Sequence, residues 1–138
     1  MKKNYLDIVD PIHDFIRVYD HELKIIDTPI FQRLRRIRQL SGAHLTYPAA
    51  QHTRFEHSLG VMHIASQAGQ ALNEKGILKF YDIEVLRLAG LLHDIGHGPF
   101  SHIFEEIIQQ KKFSHECFGK EIILKSEIGD SLSKNGYD

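Results

Sequence analysis

Ten histidines are unusual in a chain of 138 residues, and four of them, His93, His97, His102 and His115, fall within 23 residues. Imidazole is the commonest metal ligand and carries protons near neutral pH, so this crowding points to a site. His93 and Asp94 are adjacent and close an apolar run that includes Leu91 and Leu92. A carboxylate in such a place is costly unless it is paired or metal-bound. Adjacent helical residues point about 100° apart. Both can still converge on one ion held at the flank of the helix, near its C-terminal end. Taken alone, the pair fits equally a metal site and a helix-terminal histidine beside a solvated aspartate.

The flanking residues favour the site. Leu91-Leu92-His93-Asp94-Ile95-Gly96-His97-Gly98-Pro99-Phe100-Ser101-His102 sets three histidines and an aspartate around a glycine-rich break, where backbone and ligand can approach closely. Upstream, Thr53-Arg54-Phe55-Glu56-His57-Ser58-Leu59-Gly60 places His57 at the start of a long helix. Mixed His/Asp coordination with open positions suits a divalent ion that activates water. Mn, Fe, Mg and Zn are all compatible with such ligands. His102 and Glu105 are three apart on one expected helix, where a carboxylate orients an imidazole and raises its pKa. Arg33, Arg35, Arg36 and Arg38 form a basic run, usually the wet face of a helix. His13, His21, His44, His52 and His63 read as structural or exposed, and Cys117 as a small core residue.

The elements that must carry these residues are mostly helical. Residues 1–20 read as a small β arm: Phe15, Ile16, Val18 and Tyr19 are strand formers, and Asp10-Pro11 is turn-like. From His21 the period becomes helical. Asp27-Thr28-Pro29 looks like a cap with proline at the first helical position, and Phe31, Leu34, Ile37 and Leu40 predict a helix ending at Ser41-Gly42. Residues 43–53 form a loop with a short extended piece. A long helix is expected over about 54–73, with Leu59, Met62, Ala65, Ala68 and Leu72 on its apolar face and Gly76 as its stop. Asp82 is expected to cap a helix through Leu92 that is apolar on most sides and therefore central. Ser101 caps a helix to about Gln110, and Ser114 one to about Lys125. Residues 21–126 make up the helical core, and 127–138 a polar tail.

The bulk numbers set the frame. The length suits one domain, and 42% hydrophobic with 25% charged residues is ordinary for a globular chain. A formal net charge of −1 predicts neither a nucleic-acid coat nor an acidic tail. Any basic patch is local, and nucleic-acid binding stays open. One cysteine rules out an internal disulfide and fits a reducing cytoplasm. No apolar run approaches the roughly 20 residues of a membrane span, and Met1-Lys2-Lys3-Asn4-Tyr5 lacks the apolar core of a signal peptide.

Together these segments resemble the HD superfamily, named for its adjacent His-Asp pair, and more narrowly its deoxynucleoside triphosphate triphosphohydrolase branch. The motifs at 54–60 and 93–102 carry the likeness, joined by Asp10-Pro11-Ile12-His13 and by Ile26-Asp27-Thr28-Pro29-Ile30-Phe31-Gln32-Arg33-Leu34-Arg35. It covers about residues 5–120 and implies an all-α HD bundle with a β arm. It implies metal-ligand roles for His57, His93 and Asp94. It further implies attack of a metal-linked water on the α-phosphorus of a nucleoside triphosphate, giving nucleoside and triphosphate. The departing 5′-oxygen needs an acid, for which His102 and His115 are candidates. His97 matches a substrate-side histidine and Arg54 a phosphate-binding arginine, otherwise a solvated helix start. Glu105 stands where the family usually holds aspartate. Gln39 and Leu40 match positions lining the sugar pocket. Asp27, Gln32 and Arg35 match residues that bind a regulatory guanine nucleotide between subunits, which implies a homo-oligomer.

The resemblance also implies a fourth protein ligand, an aspartate on a later helix. Asp130 and Asp138 lie in the polar tail without a helical core pattern and do not qualify. The chain is then a piece of a longer protein or a degenerate copy, and its central helix should leave apolar surface exposed. Two rival readings stay open. One is an HD phosphohydrolase acting on a nucleoside monophosphate or cyclic nucleotide. The other is a non-catalytic nucleotide-binding or interaction domain.

Overall fold

The computed structural model describes residues 4–100, 106 and 114–137. The strand formers near the start pair as an antiparallel hairpin, β1 (Tyr5–Asp10) and β2 (Asp14–Tyr19). Asp10 makes the turn: its carboxylate accepts from the backbone of Ile12 and His13, each at 2.9 Å. A short acidic side chain stabilises a turn in this way. Ile16 and Val18, alternate residues of β2, are fully buried, as the strand period requires.

β2 runs straight into α1 (Asp20–Ile26), whose entry is fixed by the Tyr19 amide donating to Glu22 at 2.9 Å. Thr28 caps α2 (Pro29–Gln32): its hydroxyl accepts from the Phe31 amide at 3.2 Å, with Pro29 at the first helical position. The predicted continuation of this helix to Leu40 does not form. The chain tightens into a 3₁₀ turn over Arg33–Arg36 and is extended at Ile37. The cause is long-range pairing. The Arg54 amide donates to the Ile37 carbonyl at 2.8 Å, the Gln39 amide to His52 at 3.2 Å, and Arg38 bridges Thr53. These bonds satisfy the backbone at the entry to the next helix, and they outweigh a local helical spacing. A second 3₁₀ turn, Ala43–Leu45, lies in the loop between.

The two helices that carry the His and Asp residues are α3 (Arg54–Glu74) and α4 (Phe80–Leu92), and they pack along one another. Gly90 permits the approach, since a Cβ there would lie 3.2 Å from the Met62 backbone. Asp82 sits in the first turn of α4 rather than capping it. Its carboxylate accepts from the amide of Lys79, the residue at the cap, at 2.7 Å. Leu88, Leu91 and Leu92 are buried, whereas Val85 and Leu86 stay 41% and 38% exposed. So α4 is central on one flank and open on the other. The open flank faces a groove of about 690 Å³ shared with α5 (His115–Lys125) and α6 (Glu127–Lys134).

Ser114 caps α5 as expected, its hydroxyl accepting from the Cys117 amide at 3.2 Å. Cys117 itself is exposed rather than in the core. The region expected to be a polar tail folds into α6: Ser126 caps it, Ile128 is fully buried, and Leu132 and Tyr137 pack on the core. Its apolar residues are too few to announce a helix by periodicity. Of the helix predicted from Ser101 to Gln110, Glu106 alone is among the described residues, where it is helical and exposed. No described helix is long and apolar enough to cross a membrane.

One polar contact ties three elements together inside the core. Arg87 of α4 donates to both oxygens of Glu22 in α1, at 2.6 and 2.8 Å, and to the Arg17 carbonyl in β2 at 2.7 Å. Both side chains are almost wholly buried. Removing one partner of such a pair leaves an uncompensated charge. Glu22→Ala should therefore cost about 3–5 kcal/mol of stability, read as a lower midpoint in urea unfolding followed by circular dichroism. An unchanged midpoint would show that the pair does not hold the arm.

Candidate metal centre

Asp94 lies just past the end of α4 and is only 6% exposed. Arg54, the first residue of α3, reaches it with Nη1 at 2.5 Å from Oδ2 and is itself 4% exposed. The capping arrangement at the start of α3, in which the Thr53 amide donates to Glu56, sets the helix entry that aims Arg54 inward. One turn on, His57 points its Nε2 to within 3.7 Å of the same carboxylate oxygen. His93 sets its Nε2 3.4 Å from Oδ1. The His57 and His93 rings meet edge to face with centroids 5.2 Å apart. One ligand atom from each of His57, His93 and Asp94 falls within 4.8 Å of the others.

The chemistry of these donors fits a cation. The Nδ1 of His93 lies 2.7 Å from the Gly90 carbonyl. A carbonyl only accepts, so Nδ1 carries the hydrogen. In the neutral ring Nε2 then presents a lone pair toward a carboxylate oxygen. Two acceptors face each other there, which is unfavourable unless a proton or a metal ion lies between them. Burial holds the His57 imidazole below its ordinary pKa, with Asp94 opposing and His93 and Arg54 adding to the effect. A proton is thus disfavoured on that ligand. The hydrogen bond behind His93 is the usual device for fixing the tautomer of a metal-binding imidazole. His57 and His93 are each about one-third exposed, so this face of the group is reachable from solvent.

The glycine-rich break folds back beside the centre. His97 brings Nδ1 to 3.3 Å from Asp94 Oδ1, and its ring stacks on His115 at 4.0 Å. Gly96 explains the closeness of α5: a Cβ there would sit 2.0 Å from the His115 carbonyl and 2.5 Å from the Gly119 amide. The structure therefore gathers Arg54, His57, His93, Asp94, His97 and His115. His102 and Glu105 lie outside the described residues. Gln39 and Leu40 are in the turn after the Arg38–Thr53 bridge and make no hydrogen bond to the metal group. Leu40 is half exposed. Gln32 and Arg35 form a unit of their own, with Arg35 Nε 2.7 Å from Gln32 Oε1 and its guanidinium 3.6 Å over the Phe55 ring. Gln32 also donates to the Ile26 carbonyl, beside the exposed Asp27, at 2.8 Å. Among the histidines set aside, His13 and His63 pair with ring centroids 4.8 Å apart, away from the metal group. A wide groove of about 910 Å³ runs from the hairpin tip at Ile12 and His13 to His57.

Sequence reasoning missed Arg33. It belongs to the basic run by sequence, but it is half-buried and donates to the Ile95 and His97 carbonyls. Only tertiary structure reveals this, because nothing in the run distinguishes Arg33 from its neighbours.

The ligand set leads to a direct expectation. His93→Ala and Asp94→Ala, each equilibrated with Mn²⁺, should retain only background metal by atomic emission after desalting, while Ser58→Ala should retain metal as the unaltered chain does. Unchanged retention in the first two variants would remove them as ligands.

The HD domain family model matches residues 54–134. The deoxynucleoside triphosphate triphosphohydrolase SAMHD1 of Danio rerio is 48% identical over 132 residues, covering 94% of this chain and 21% of that protein. An uncharacterized protein of Methanocaldococcus jannaschii is 46% identical over 128 residues, covering 93% of this chain and 26% of its own length. The crystal structure of a hypothetical protein from Aquifex aeolicus superimposes with a TM-score of 0.84 at 44% identity, covering 98% of this chain and 34% of that one. This chain thus spans about a fifth to a third of the length of these relatives. A matching family model over most of the chain, with the His-Asp pair at the centre of the matched region, makes this chain a member of the HD domain family.

Proposed function

We propose that the chain carries the metal-binding part of a phosphohydrolase that converts deoxynucleoside triphosphates to deoxynucleoside and triphosphate. The observation that carries the reading is the converging His57, His93 and Asp94 group beside a buried arginine and a stacked histidine pair. The substrate class rests on the SAMHD1 relatives, which are named for that activity. A divalent ion bound by this group supplies positive charge for phosphoryl oxygens and lowers the pKa of a bound water.

The chain's own residues do the rest. Asp94 and the two imidazoles hold and orient the ion. Arg54, buried with Nη1 on Asp94, would offer its remaining donors to a phosphate oxygen that enters the cluster. Water adds to the α-phosphorus, the bond from that phosphorus to the 5′-oxygen breaks, and the 5′-oxygen must gain a proton. The His97–His115 pair lies beside Asp94, and that proximity to the metal group supports it as the source of that proton. His102 and Glu105 belong to the same proposal by family position. The Gln32–Arg35 unit with Asp27 is its regulatory-nucleotide counterpart, in which a second subunit completes the site.

Incubation with dGTP and Mn²⁺, followed by phosphorus NMR of the products, tests the reaction. Inorganic triphosphate in step with deoxyguanosine is expected. Release of single phosphate from a nucleoside monophosphate or cyclic nucleotide, with no triphosphate from dGTP, would point instead to another HD phosphohydrolase. Absence of bound metal and of turnover with Mn, Fe, Mg or Zn would leave a non-catalytic nucleotide-binding or interaction module.

A further inference from the structure

Arg33 lies in the 3₁₀ turn that follows α2, far from the metal group in sequence. Its Nη1 donates to the His97 carbonyl at 2.7 Å, and its Nη2 donates to the Ile95 carbonyl. These two carbonyls flank Gly96. Among the described residues no carboxylate pairs with Arg33, and burial pushes its guanidinium below the ordinary arginine pKa. A cation in that setting costs free energy, and the two loop carbonyls are the acceptors that offset it. The guanidinium presents its donors in a rigid plane. Two acceptors gripped by one plane fix both the position and the tilt of the intervening peptide.

The same loop is held at a second place. Gly96 lies directly on the first turn of α5, against the His115 carbonyl and the Gly119 amide. The segment 95–97 is therefore clamped between Arg33 and α5. Asp94 immediately precedes the clamped segment. His97, which bears one of the gripped carbonyls, lies 3.3 Å from Asp94 and stacks on His115. A small slip of this loop would change the direction of the carboxylate and of both rings.

We propose that Arg33 is a positioning residue, which clamps the loop 95–97 so that Asp94 and the His97–His115 pair keep their placement around the metal group. It acts through the Ile95 and His97 carbonyls and touches neither ion nor substrate. The role rests on the metal-centre reading only for its effect on metal affinity.

The test uses the whole ¹⁵N-labelled chain and two readouts: the amide and imidazole resonances of His97 and His115 without metal, and the Mn²⁺ dissociation constant by calorimetry. Arg33→Met should shift those resonances and weaken Mn²⁺ binding by about tenfold or more, the effect usual for outer-shell partners of a metal site. Arg33→Lys, whose single ammonium lacks the planar fork, should recover part of both. Arg36→Met, in the same turn, should leave both unchanged. A merely structural role predicts a lower melting temperature with resonance changes spread over the core and an unaltered Mn²⁺ constant, and that pattern would overturn the proposal. So would an Arg33→Met chain identical to the unaltered one. If Arg33→Met does not fold, the unaltered chain decides: a clamped guanidinium gives separate Nη resonances from hindered rotation, and a single averaged signal overturns the proposal. If the unaltered chain binds no Mn²⁺, the metal-centre reading fails by itself, and the resonances of His97 and His115 alone judge Arg33.

Discussion

The carboxylate of Asp94 is buried at the end of a helix whose last turn is almost entirely apolar. An ionised group in that position needs compensation, and the surrounding structure supplies it from three directions. Arg54 arrives from the start of α3, His57 from one turn further along, and His97 from the loop that Asp94 begins. Each of these depends on where a helix starts or stops. The entry of α3 is fixed by its cap and by the bonds that hold Ile37 and Arg38 against Thr53 and Arg54. The close packing of α3 on α4, which Gly90 permits, brings the two histidines within reach of one carboxylate.

The ion pair and the metal group share the same acid. Arg54 occupies Oδ2, while His93 and His97 approach Oδ1. A guanidinium on one oxygen of a buried carboxylate keeps that side chain in a fixed orientation. The other oxygen is left facing the His93 and His97 rings. This division of one side chain between two tasks accounts for placing a buried arginine so near a site that would itself bind positive charge. His93 lines the groove beside α4 and His57 lines the groove that reaches the hairpin tip, so each groove touches the centre.

Much of this was legible in the sequence, for identifiable reasons. The grouping of His57, His93 and Asp94 was implied by the family resemblance of the motifs at 54–60 and 93–102, and α3 and α4, which bring them together, have clear helical boundaries. Ser114 and Thr28 announced their helices through capping chemistry, and both caps form. The failures have a common origin. The helix predicted through Leu40 stops early because residues 37–39 pair with 52–54, a contact invisible to local periodicity. The polar tail becomes α6 because Ile128 and Tyr137 find an apolar surface made by distant segments. Arg33 looked like one more solvated arginine, and only the return of the loop at 95–97 gives it acceptors.

The central claim is that two imidazoles and one carboxylate of this chain converge on a single ion. X-ray absorption at the metal edge of the Zn²⁺-loaded chain tests that most directly, because imidazole rings leave a multiple-scattering signature that water and carboxylate do not. The account predicts two histidine nitrogens and oxygen ligands in a first shell near ~2.0–2.2 Å. A first shell of oxygen alone, with no imidazole scattering, would contradict it.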